Sequence, residues 1–254
     1  MPDHADHYDH YSEDQIRRLD GFFGDVNRDI DTGMAAQVAD CDGTVLDFGC
    51  GFGSLVEQLR QAGHAAVGID MLDFCVQAGQ RRYPQADLRC SQEGLEGWAD
   101  KSVDAVLLKD VIHHIADEDD VTAFLANVQR VARKKLVISD PNPTWIVRFC
   151  RWLIGHIDPA LKPHDAVELL TRHGFRCQPV QFSNLMSLPL SGGYVGRPFV
   201  SSQPWISRLV RGTDRAITAV LNAVGAGRLF CWRYLLVAEI PTTATSRQST
   251  RHAA

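Results

Sequence analysis

The chain has 254 residues, of which 45% are hydrophobic and 22% are charged, and its formal net charge is −5. This composition is typical of a globular protein and excludes general disorder, and no apolar run reaches the roughly 18–20 residues that a membrane span needs. The polar first 14 residues do not resemble a signal peptide, and seven cysteines without a CxxC pair predict reduced thiols in a cytoplasmic protein, with no zinc site.

The charge is divided unevenly along the chain. Residues 1–140 carry 13 lysines and arginines against 26 aspartates and glutamates, whereas residues 141–254 carry 13 against 5. The acidic first part argues against nucleic acid as a partner. The basic second part leaves an anionic acceptor or an anionic membrane surface open as a partner.

Short apolar runs alternate with helical patterns along the chain. A short helix over residues 12–28 comes first, and five apolar runs then predict buried strands over 44–48, 65–69, 86–90, 103–108 and 135–139. Helices are predicted over 55–62, 72–82, 121–131 and 166–173, and closing strands over 175–182 and 232–240. This order predicts an α/β fold with a doubly wound, mostly parallel, seven-stranded sheet that binds its ligand at the carboxyl ends of the strands.

The strongest motif is a glycine loop, read from residue 45 as Val-Leu-Asp-Phe-Gly-Cys-Gly-Phe-Gly-Ser. Glycines let the backbone turn tightly and come close to a ligand, and the helix that follows directs free N–H groups towards it. The spacing is GxGxG, and Ser54 stands where a dinucleotide fingerprint has its third glycine. The loop therefore predicts a nucleotide-type ligand but departs from the dinucleotide pattern.

Two acidic residues at strand ends discriminate among such ligands. Asp47 lies two residues before the first glycine, where its carboxylate would repel a pyrophosphate and suit a cationic group. S-adenosylmethionine carries an ammonium and a sulfonium and no phosphate, so Asp47 favours it over NAD or FAD; a helix cap is the structural alternative. Asp70, 21 positions after Gly49, suits the ribose hydroxyls of either cofactor, and an ordinary turn residue is its alternative.

These segments resemble those of the class I S-adenosylmethionine-dependent methyltransferases that act on small molecules. LDFGCGFGS (46–54) is similar to their first motif, GIDML (68–72) to the second, SVDAVLLKDVIHHI (102–115) to the fourth-strand segment, KLVISDPNP (135–143) to the fifth-strand motif and ELLTRHGF (168–175) to the helix before the sixth strand. The resemblance covers about residues 43–180 and the final strand. It implies a Rossmann-like methyltransferase fold with S-adenosyl-L-methionine as cofactor.

The resemblance also implies which residues bind the cofactor, namely Asp47, Gly49, Cys50, Gly51, Asp70, Met71, Ser91, Gln92 and Lys109. Ser91 and Gln92 stand where many relatives have an acidic residue that holds the adenine amino group, so neutral groups would take that role here. Lys109 stands where many relatives have a small or polar residue, and its ammonium would face either the acceptor or solvent.

Two adjacent histidines, His113 and His114, follow the predicted fourth strand at the rim where the methyl group would lie. Methyl transfer is an in-line displacement at a sulfonium carbon, so the enzyme mainly aligns the acceptor and excludes water. A base is needed only if the acceptor must lose a proton, and histidine titrates near neutrality. One of the two is therefore the candidate base, with the other packed inward; a structural role is the alternative for both.

The N-terminal arm, which precedes the core, is predicted to close over the site. The resemblance implies that the N-terminal arm folds over the cofactor, with Tyr8 and Tyr11 forming an aromatic lid. The Asp and His residues of this arm are the right types for a metal ion, but a solvated arm is favoured, so we predict no metal site.

Residues 144–157 and 205–224 have the pattern of basic amphipathic helices. In the second helix the arginines at 208, 211 and 215 are predicted to face outward, and the following residues inward: Ile206, Leu209, Val210, Ile217, Val220, Leu221 and Val224. Such helices would cap a hydrophobic or aromatic acceptor with a polar or anionic head, form a dimer contact, or lie on an anionic lipid surface.

We therefore predict a methyltransferase that acts on a small, hydrophobic acceptor, with oxygen favoured as the methylated atom and nitrogen or carbon left open. The alternatives are an NAD(P)-dependent oxidoreductase and a non-catalytic S-adenosylmethionine-binding module. The predicted organisation is an N-terminal arm or lid (1–30), the cofactor-binding core (31–182), a helical cap insertion (183–231), a closing strand (232–240) and a disordered tail (241–254). The acceptor and the oligomeric state stay open.

Overall fold

The computed structural model describes residues 17–115, 121–153, 160–193 and 198–240. Tyr8, Tyr11 and the tail from residue 241 lie outside the described residues. The strands are β1 (Val45–Phe48), β2 (Ala66–Asp70), β3 (Asp87–Cys90), β4 (Val103–Lys109), β5 (Ala132–Pro141), β6 (Arg176–Cys177), β7 (Gln181–Ser183) and β8 (Arg233–Glu239). The helices are α1 (Phe22–Ala36), α2 (Ser54–Gln61), α3 (Asp73–Arg82), α4 (Ile112–Ile115), α5 (Val121–Val131), α6 (Trp145–Leu153), α7 (Pro163–Arg172), α8 (Ser187–Leu190), α9 (Pro204–Ala223) and α10 (Gly227–Phe230).

These strands form one mixed sheet in the order β3-β2-β1-β4-β5-β8-β6, and β7 also pairs with β8. The first five strands run parallel, and β8 is antiparallel to each of its partners. The strand order reverses between β1 and β4, so a crevice opens at their carboxyl ends. The predicted α/β fold with a doubly wound, mostly parallel sheet is confirmed.

The last sheet position differs in detail from the prediction. The single strand expected over residues 175–182 is two short strands, β6 and β7, which pair with different parts of β8. The chain between them contains Pro179, which has no N–H to donate to a strand ladder. The seven predicted positions therefore hold eight strands.

Helices cover both faces of the sheet because neighbouring residues of the buried strands point to opposite sides. On one face Leu107 and Val137 pack with Met34 of α1 and Leu55 of α2. On the other face, buried residues of β4 and β5 pack with α5 and α7; this set includes Leu108, Leu125, Leu136, Ile138 and Leu170. Helix α1 runs unbroken through residue 30, where we placed the end of the N-terminal arm.

A smaller apolar cluster lies beside the main core and joins the start of α1 to the later helices. Its buried members are Phe22, Val26, Val147, Leu188 and Trp232, and Val210 of α9 packs against them. We refer to α6, α8, α9 and α10 as the cap. None of the described helices combines the length and the apolar character that crossing a bilayer requires.

The orientation of α9 is a correction to the sequence analysis. Leu209, Val220 and Val224, predicted to face inward, are 62–70% exposed, and Ile217 is 38% exposed. The buried residues of α9 are polar instead: Ser207, Asp214 and Thr218. The sequence pattern correctly predicts a helix with an apolar and a polar face, but hydrogen-bond partners on α1 and α8 place the polar face inward.

These partners are hydroxyl and carboxyl groups at fixed positions. Ser207 donates to Asp25 of α1, and Arg211 donates to Asp29 with Nε 2.7 Å from Oδ2. Asp214 accepts from the hydroxyl of Ser187 of α8, at 2.6 Å. Arg211, expected to face outward, is therefore paired with α1.

Candidate functional site

The glycine loop joins β1 to α2 at the crevice. Gly49, Gly51 and Gly53 all have positive φ, at +73°, +52° and +77°, a region that residues with a Cβ rarely adopt. A Cβ on Gly49 would lie 2.5 Å from a methyl of Val111, and one on Gly53 would lie 2.5 Å from a methyl of Leu88. A Cβ on Gly51 would meet nothing within 4 Å. The outer glycines thus fit tight packing, whereas Gly51 borders open space.

Asp70 ties this loop to the end of β2. Its Oδ2 accepts from the backbone N–H of Gly51 at 2.8 Å, and its Oδ1 accepts from that of Leu72 at 2.9 Å. Burial raises the pKa of the Asp70 carboxyl, although these N–H groups act in the opposite direction. A carboxylate offers about four lone-pair positions, so Asp70 retains capacity for two more donors.

Asp47 lies one residue before the carboxyl end of β1, at the crevice, and is 1% exposed. Its Oδ1 has no hydrogen-bond partner among the described residues. Burial raises the pKa of Asp47 to about 7, even though the nearby Lys109 ammonium acts to lower it. Asp47 does not cap the following helix, because the N-cap of α2 is Gly53 and no side chain caps it.

Lys109 turns inward beside Asp47. Its Nζ lies 2.6 Å from Oδ1 of the fully buried Asp31 and 3.2 Å from the hydroxyl of Ser54. Burial disfavours the ammonium, but Asp31, and more weakly Asp47 and Asp110, raise the pKa of Lys109. We call Asp31, Asp47 and Lys109 the lysine cluster; its two carboxyl groups outnumber its one cation.

Asp31 is not predicted as a site residue because the first predicted helix ends at residue 28, whereas α1 continues to Ala36. A signal was available: in the helical pattern of α1, Asp31 shares the buried side with Val26, Met34 and Ala35. An acidic residue among apolar residues on the inner side of a helix indicates a buried partner.

Met71, Ser91 and Gln92 meet where β2 and β3 end. The backbone N–H of Ser91 donates to the carbonyl of Asp70 at 2.9 Å, and the Gln92 amide donates to the carbonyl of Met71 at 2.7 Å. Met71 is 49% exposed, and Phe74, which the sequence analysis did not single out, is 43% exposed. The predicted cofactor residues of this strand end therefore lie together beside Asp70.

The two histidines of α4 diverge. His113 is 6% exposed and its Nδ1 lies 2.8 Å from Oδ1 of the fully buried Asp140 at the end of β5. His114 is exposed at the rim, and its ring centroid lies 4.1 Å from that of His113. One histidine points inward and the other outward, as predicted for adjacent residues, but it is the inward one, which the prediction set apart from the base, that pairs with a carboxyl group.

His113 belongs to a second group, which we call the histidine cluster: the buried His113, Asp140, Arg233 and Tyr234, with the exposed Asp110 at its edge. Arg233 Nη1 lies 2.6 Å from Oδ1 of Asp110. Partial desolvation works against ionisation of Asp110, but Arg233 and His113 outweigh it and lower the pKa of this carboxyl. The Tyr234 hydroxyl and Oδ2 of Asp140 have no hydrogen-bond partner among the described residues.

The partners of His113 in this cluster were not predicted, although β5 and β8 carry a signal. Asp140 is a charged residue near the end of β5, a strand that is almost wholly buried. Arg233 is likewise a charged residue at the start of the buried strand β8, next to Tyr234. The two clusters meet at the end of β4, where Lys109 belongs to one and Asp110 to the other.

Comparison with known proteins identifies the central part of the chain. A family model described as a methyltransferase domain matches residues 46–138. The ubiquinone biosynthesis O-methyltransferase of Bartonella quintana (strain Toulouse) is 30% identical over 107 residues, which are 40% of this chain and 42% of that protein. Residues 46–138 are therefore similar to a methyltransferase domain.

Solved structures share the fold of the matched segment and of the chain on both sides of it. A SAM-dependent methyltransferase from Archaeoglobus fulgidus is 18% identical with a TM-score of 0.57, covering 84% of this chain and 94% of that chain. The magnesium protoporphyrin IX methyltransferase (ChlM) from Synechocystis PCC 6803, with bound SAH, is 19% identical with a TM-score of 0.52, covering 85% and 83%. At these identities the likeness is one of fold.

The matched segment contains the glycine loop, Asp70, Lys109 and both histidines. Asp31 precedes it, and Asp140, Arg233 and Tyr234 follow it. Each charged cluster is therefore completed by residues from outside the matched segment. The chain spans about two fifths of the length of the Bartonella relative.

Proposed function

We propose that this chain binds S-adenosyl-L-methionine and transfers its methyl group to a small hydrophobic acceptor, with a hydroxyl oxygen as the methylated atom. The observation that carries the proposal is the buried Asp47 oxygen without a hydrogen-bond partner among the described residues, together with the open space at Gly51. A buried carboxylate oxygen without a donor is costly, and a cationic ligand would remove that cost.

The residues around the crevice fit the parts of this cofactor. Asp47 would accept from the methionyl ammonium, because the lysine cluster holds more carboxyl groups than ammonium groups. Asp70 would accept from the ribose hydroxyls with the lone pairs that its two backbone bonds leave. Ser91 and Gln92 would contact the adenine edge, and the exposed Met71 would cover its face.

Lys109 would have a supporting role. Its ammonium is bound to Asp31 and Ser54, and it faces the interior, not solvent. Because Lys109 pairs with Asp31, it neutralises one of the two negative charges of the lysine cluster. The remaining negative charge, on Asp47, would be balanced by one ligand ammonium. The Lys109 cation also suits the methionyl carboxylate.

For the reaction, the bound cofactor supplies an electrophilic methyl group and leaves as a neutral thioether. Asp140 favours a proton on Nδ1 of His113, which makes Nε2 the basic nitrogen. Nε2 would take the hydroxyl proton as the acceptor oxygen forms its bond to the methyl carbon and the carbon–sulfur bond breaks towards sulfur. His113 is therefore the candidate base, and the exposed His114 is its natural comparison.

The acceptor class is supported more weakly than the cofactor. The Bartonella relative is named an O-methyltransferase, and the cap beside the crevice contributes apolar side chains. The histidine cluster supplies a base, which transfer to oxygen requires and transfer to a neutral amine does not. These observations favour a hydroxyl on an apolar molecule.

Calorimetry and a turnover assay test the proposal together. We expect S-adenosylmethionine and its demethylated product to bind the full chain and NAD and NADP not to bind. We then expect transfer of labelled methyl to alkyl-substituted catechols and phenols, with formation of the demethylated product. Tight binding of NADP alone would overturn the proposal in favour of an oxidoreductase. Cofactor binding without transfer to hydroxyl, amine or carbon probes would support a non-catalytic module.

A further inference from the structure

The exposed apolar side chains of the chain are concentrated on the cap. Among the described residues, every large hydrophobic side chain that is more than half exposed lies between Trp145 and Leu229. We define the apolar surface as six of them on two helices: Trp145, Phe149 and Trp152 of α6, and Trp205, Leu209 and Val220 of α9. Their exposed fractions run from 56% to 73%. Single exposed apolar residues are normal on a protein surface, whereas a group of them marks an interaction site.

The inner face of α9 already has its partners. Ser207 and Arg211 bind acidic residues of α1, and Asp214 accepts from Ser187 and from the backbone N–H of Met186. Turning the apolar residues inward would break these buried polar contacts. The outward apolar face is therefore a fixed feature of the fold.

The charge beside the apolar surface is of one sign. Arg148, Arg208 and Arg228 are exposed and form no ion pair with any residue that the structure describes. Between residues 169 and 238 the sequence has eight arginines and a single acidic residue, Asp214, which is buried. A partner of this face would therefore be apolar and negatively charged.

We propose that α6 and α9 dock the protein on an anionic lipid surface. Tryptophan and leucine side chains on such helices enter the boundary between headgroups and acyl chains, and arginines pair with lipid phosphates. A second copy of the chain fits less well, because a two-fold interface would bring the same arginines together without acidic partners. The docking goes beyond methyl transfer and does not depend on it, since it needs neither cofactor nor acceptor.

Flotation of the full chain with vesicles tests this docking. One set of vesicles is phosphatidylcholine alone, and the other contains equal parts of phosphatidylcholine and phosphatidylglycerol. We expect binding to the anionic vesicles at about 50 mM NaCl, weakened at about 500 mM NaCl, and little binding to the neutral ones. No binding to anionic vesicles at low salt would overturn the proposal without touching the methyl-transfer proposal.

Two variants and a control locate the surface. Trp205→Ser with Leu209→Ser and Val220→Ser should lower partitioning onto anionic vesicles at least about tenfold. Arg208→Glu with Arg228→Glu should lower it about tenfold or more, because each arginine near an anionic surface contributes about fivefold. Arg81→Glu with Arg89→Glu makes the same charge change at exposed positions of α3 and β3 and should have much less effect.

The wild-type salt and lipid dependence keeps the test decisive even if a variant unfolds, which circular dichroism would show. Equal loss in Arg81→Glu with Arg89→Glu would contradict docking through α6 and α9. A concentration-dependent dimer in ultracentrifugation, abolished by the three serine substitutions while vesicle binding is absent, would assign the surface to a second copy instead.

Discussion

The lysine cluster and the histidine cluster lie on either side of the end of β4, yet they balance their charges differently. In the lysine cluster, Asp31 and Asp47 share the single cation of Lys109, and an oxygen of Asp47 has no donor among the described residues. In the histidine cluster, Asp110 pairs with Arg233 and Asp140 with His113. The first cluster has one cation for two acids, whereas each acid of the second has a basic partner, although Oδ2 of Asp140 also lacks a donor among the described residues.

This difference indicates separate tasks. A buried negative charge without a partner costs free energy, and a cationic ligand bound there would offset that cost. A histidine held by a carboxylate keeps a defined tautomer and is suited to moving a proton. We interpret the first cluster as the cofactor side of the crevice and the second as the acceptor side. Variants that affect one cluster and spare the other test this interpretation.

The largest effect is expected from His113→Gln. Glutamine can still donate to Asp140 but cannot take a proton, so we expect kcat to fall by about 10²–10⁴-fold with an unchanged cofactor Kd. The measurement is transfer of labelled methyl to whichever hydroxyl probe the wild-type protein methylates, with calorimetry for the Kd. His114→Gln is the matched control and should change kcat by less than about fivefold. If the control loses more than His113→Gln, the exposed histidine is the base.

Asp47→Asn should weaken cofactor binding and leave the histidine cluster intact. Losing a hydrogen bond between charged groups costs about 1.5–3 kcal/mol, so calorimetry should show the Kd for S-adenosylmethionine rising about 10–100-fold. Asp87→Asn, at an exposed position on β3, is the control and should leave the Kd unchanged. An unchanged Kd in Asp47→Asn would remove the main support for the cofactor assignment.

The same change should stabilise the unliganded protein. Burial holds the pKa of Asp47 at about 7, above its unfolded value, so the carboxyl favours the folded state below the unfolded pKa and loses that contribution as pH rises through 7. At pH 8 we expect Asp47→Asn to raise the free energy of unfolding by roughly 2 kcal/mol, with the gain shrinking towards pH 4. Denaturant unfolding at the two pH values measures this. A loss of stability at pH 8 would make Asp47 a structural residue.

Gly51→Ala tests whether the ligand occupies the open space at the glycine loop, and Gly63→Ala controls for the backbone strain that alanine introduces. Gly51 and Gly63 both have positive φ, and a Cβ at either meets nothing within 4 Å, so alanine should cost each about 1–2 kcal/mol of stability. Only Gly51→Ala should weaken cofactor binding, by about tenfold, because a methyl group enters the space proposed for the ligand. Equal affinities in the two variants would mean that the ligand lies elsewhere.

The parts of the fold and site that the sequence predicts well are those with local signals. The strands, the glycine loop and Asp70 are recognised from residues close together in the chain, because turns and buried strands impose patterns over a few residues. The pairings of Lys109 with Asp31 and of His113 with Asp140 span 78 and 27 positions. Only the packed fold brings these partners together.

The inverted face of α9 shows the same limit. Periodicity reveals that a helix has two faces, and the hydrophobic effect favours the apolar face inside. Here the choice depends on Asp25 and Asp29, which lie 182 residues before their partners on α9. Since α1 presents these acids to the cap, the arginine and serine of α9 turn towards them.

The smallest effect expected is the pH dependence of cofactor affinity. It shows which of the two clusters contains the group whose ionisation controls binding. Only the ionised Asp47 pairs with a cation, and with a pKa of about 7 its ionised fraction falls about threefold between pH 7.5 and pH 6.5. The association constant of S-adenosylmethionine, measured by calorimetry, should fall by about that factor in the wild type and in His113→Gln. It should be flat in Asp47→Asn. If His113→Gln removed the dependence and Asp47→Asn kept it, the cation-binding side would be the histidine cluster, because the group that titrates on binding must be the one that contacts the ligand charge.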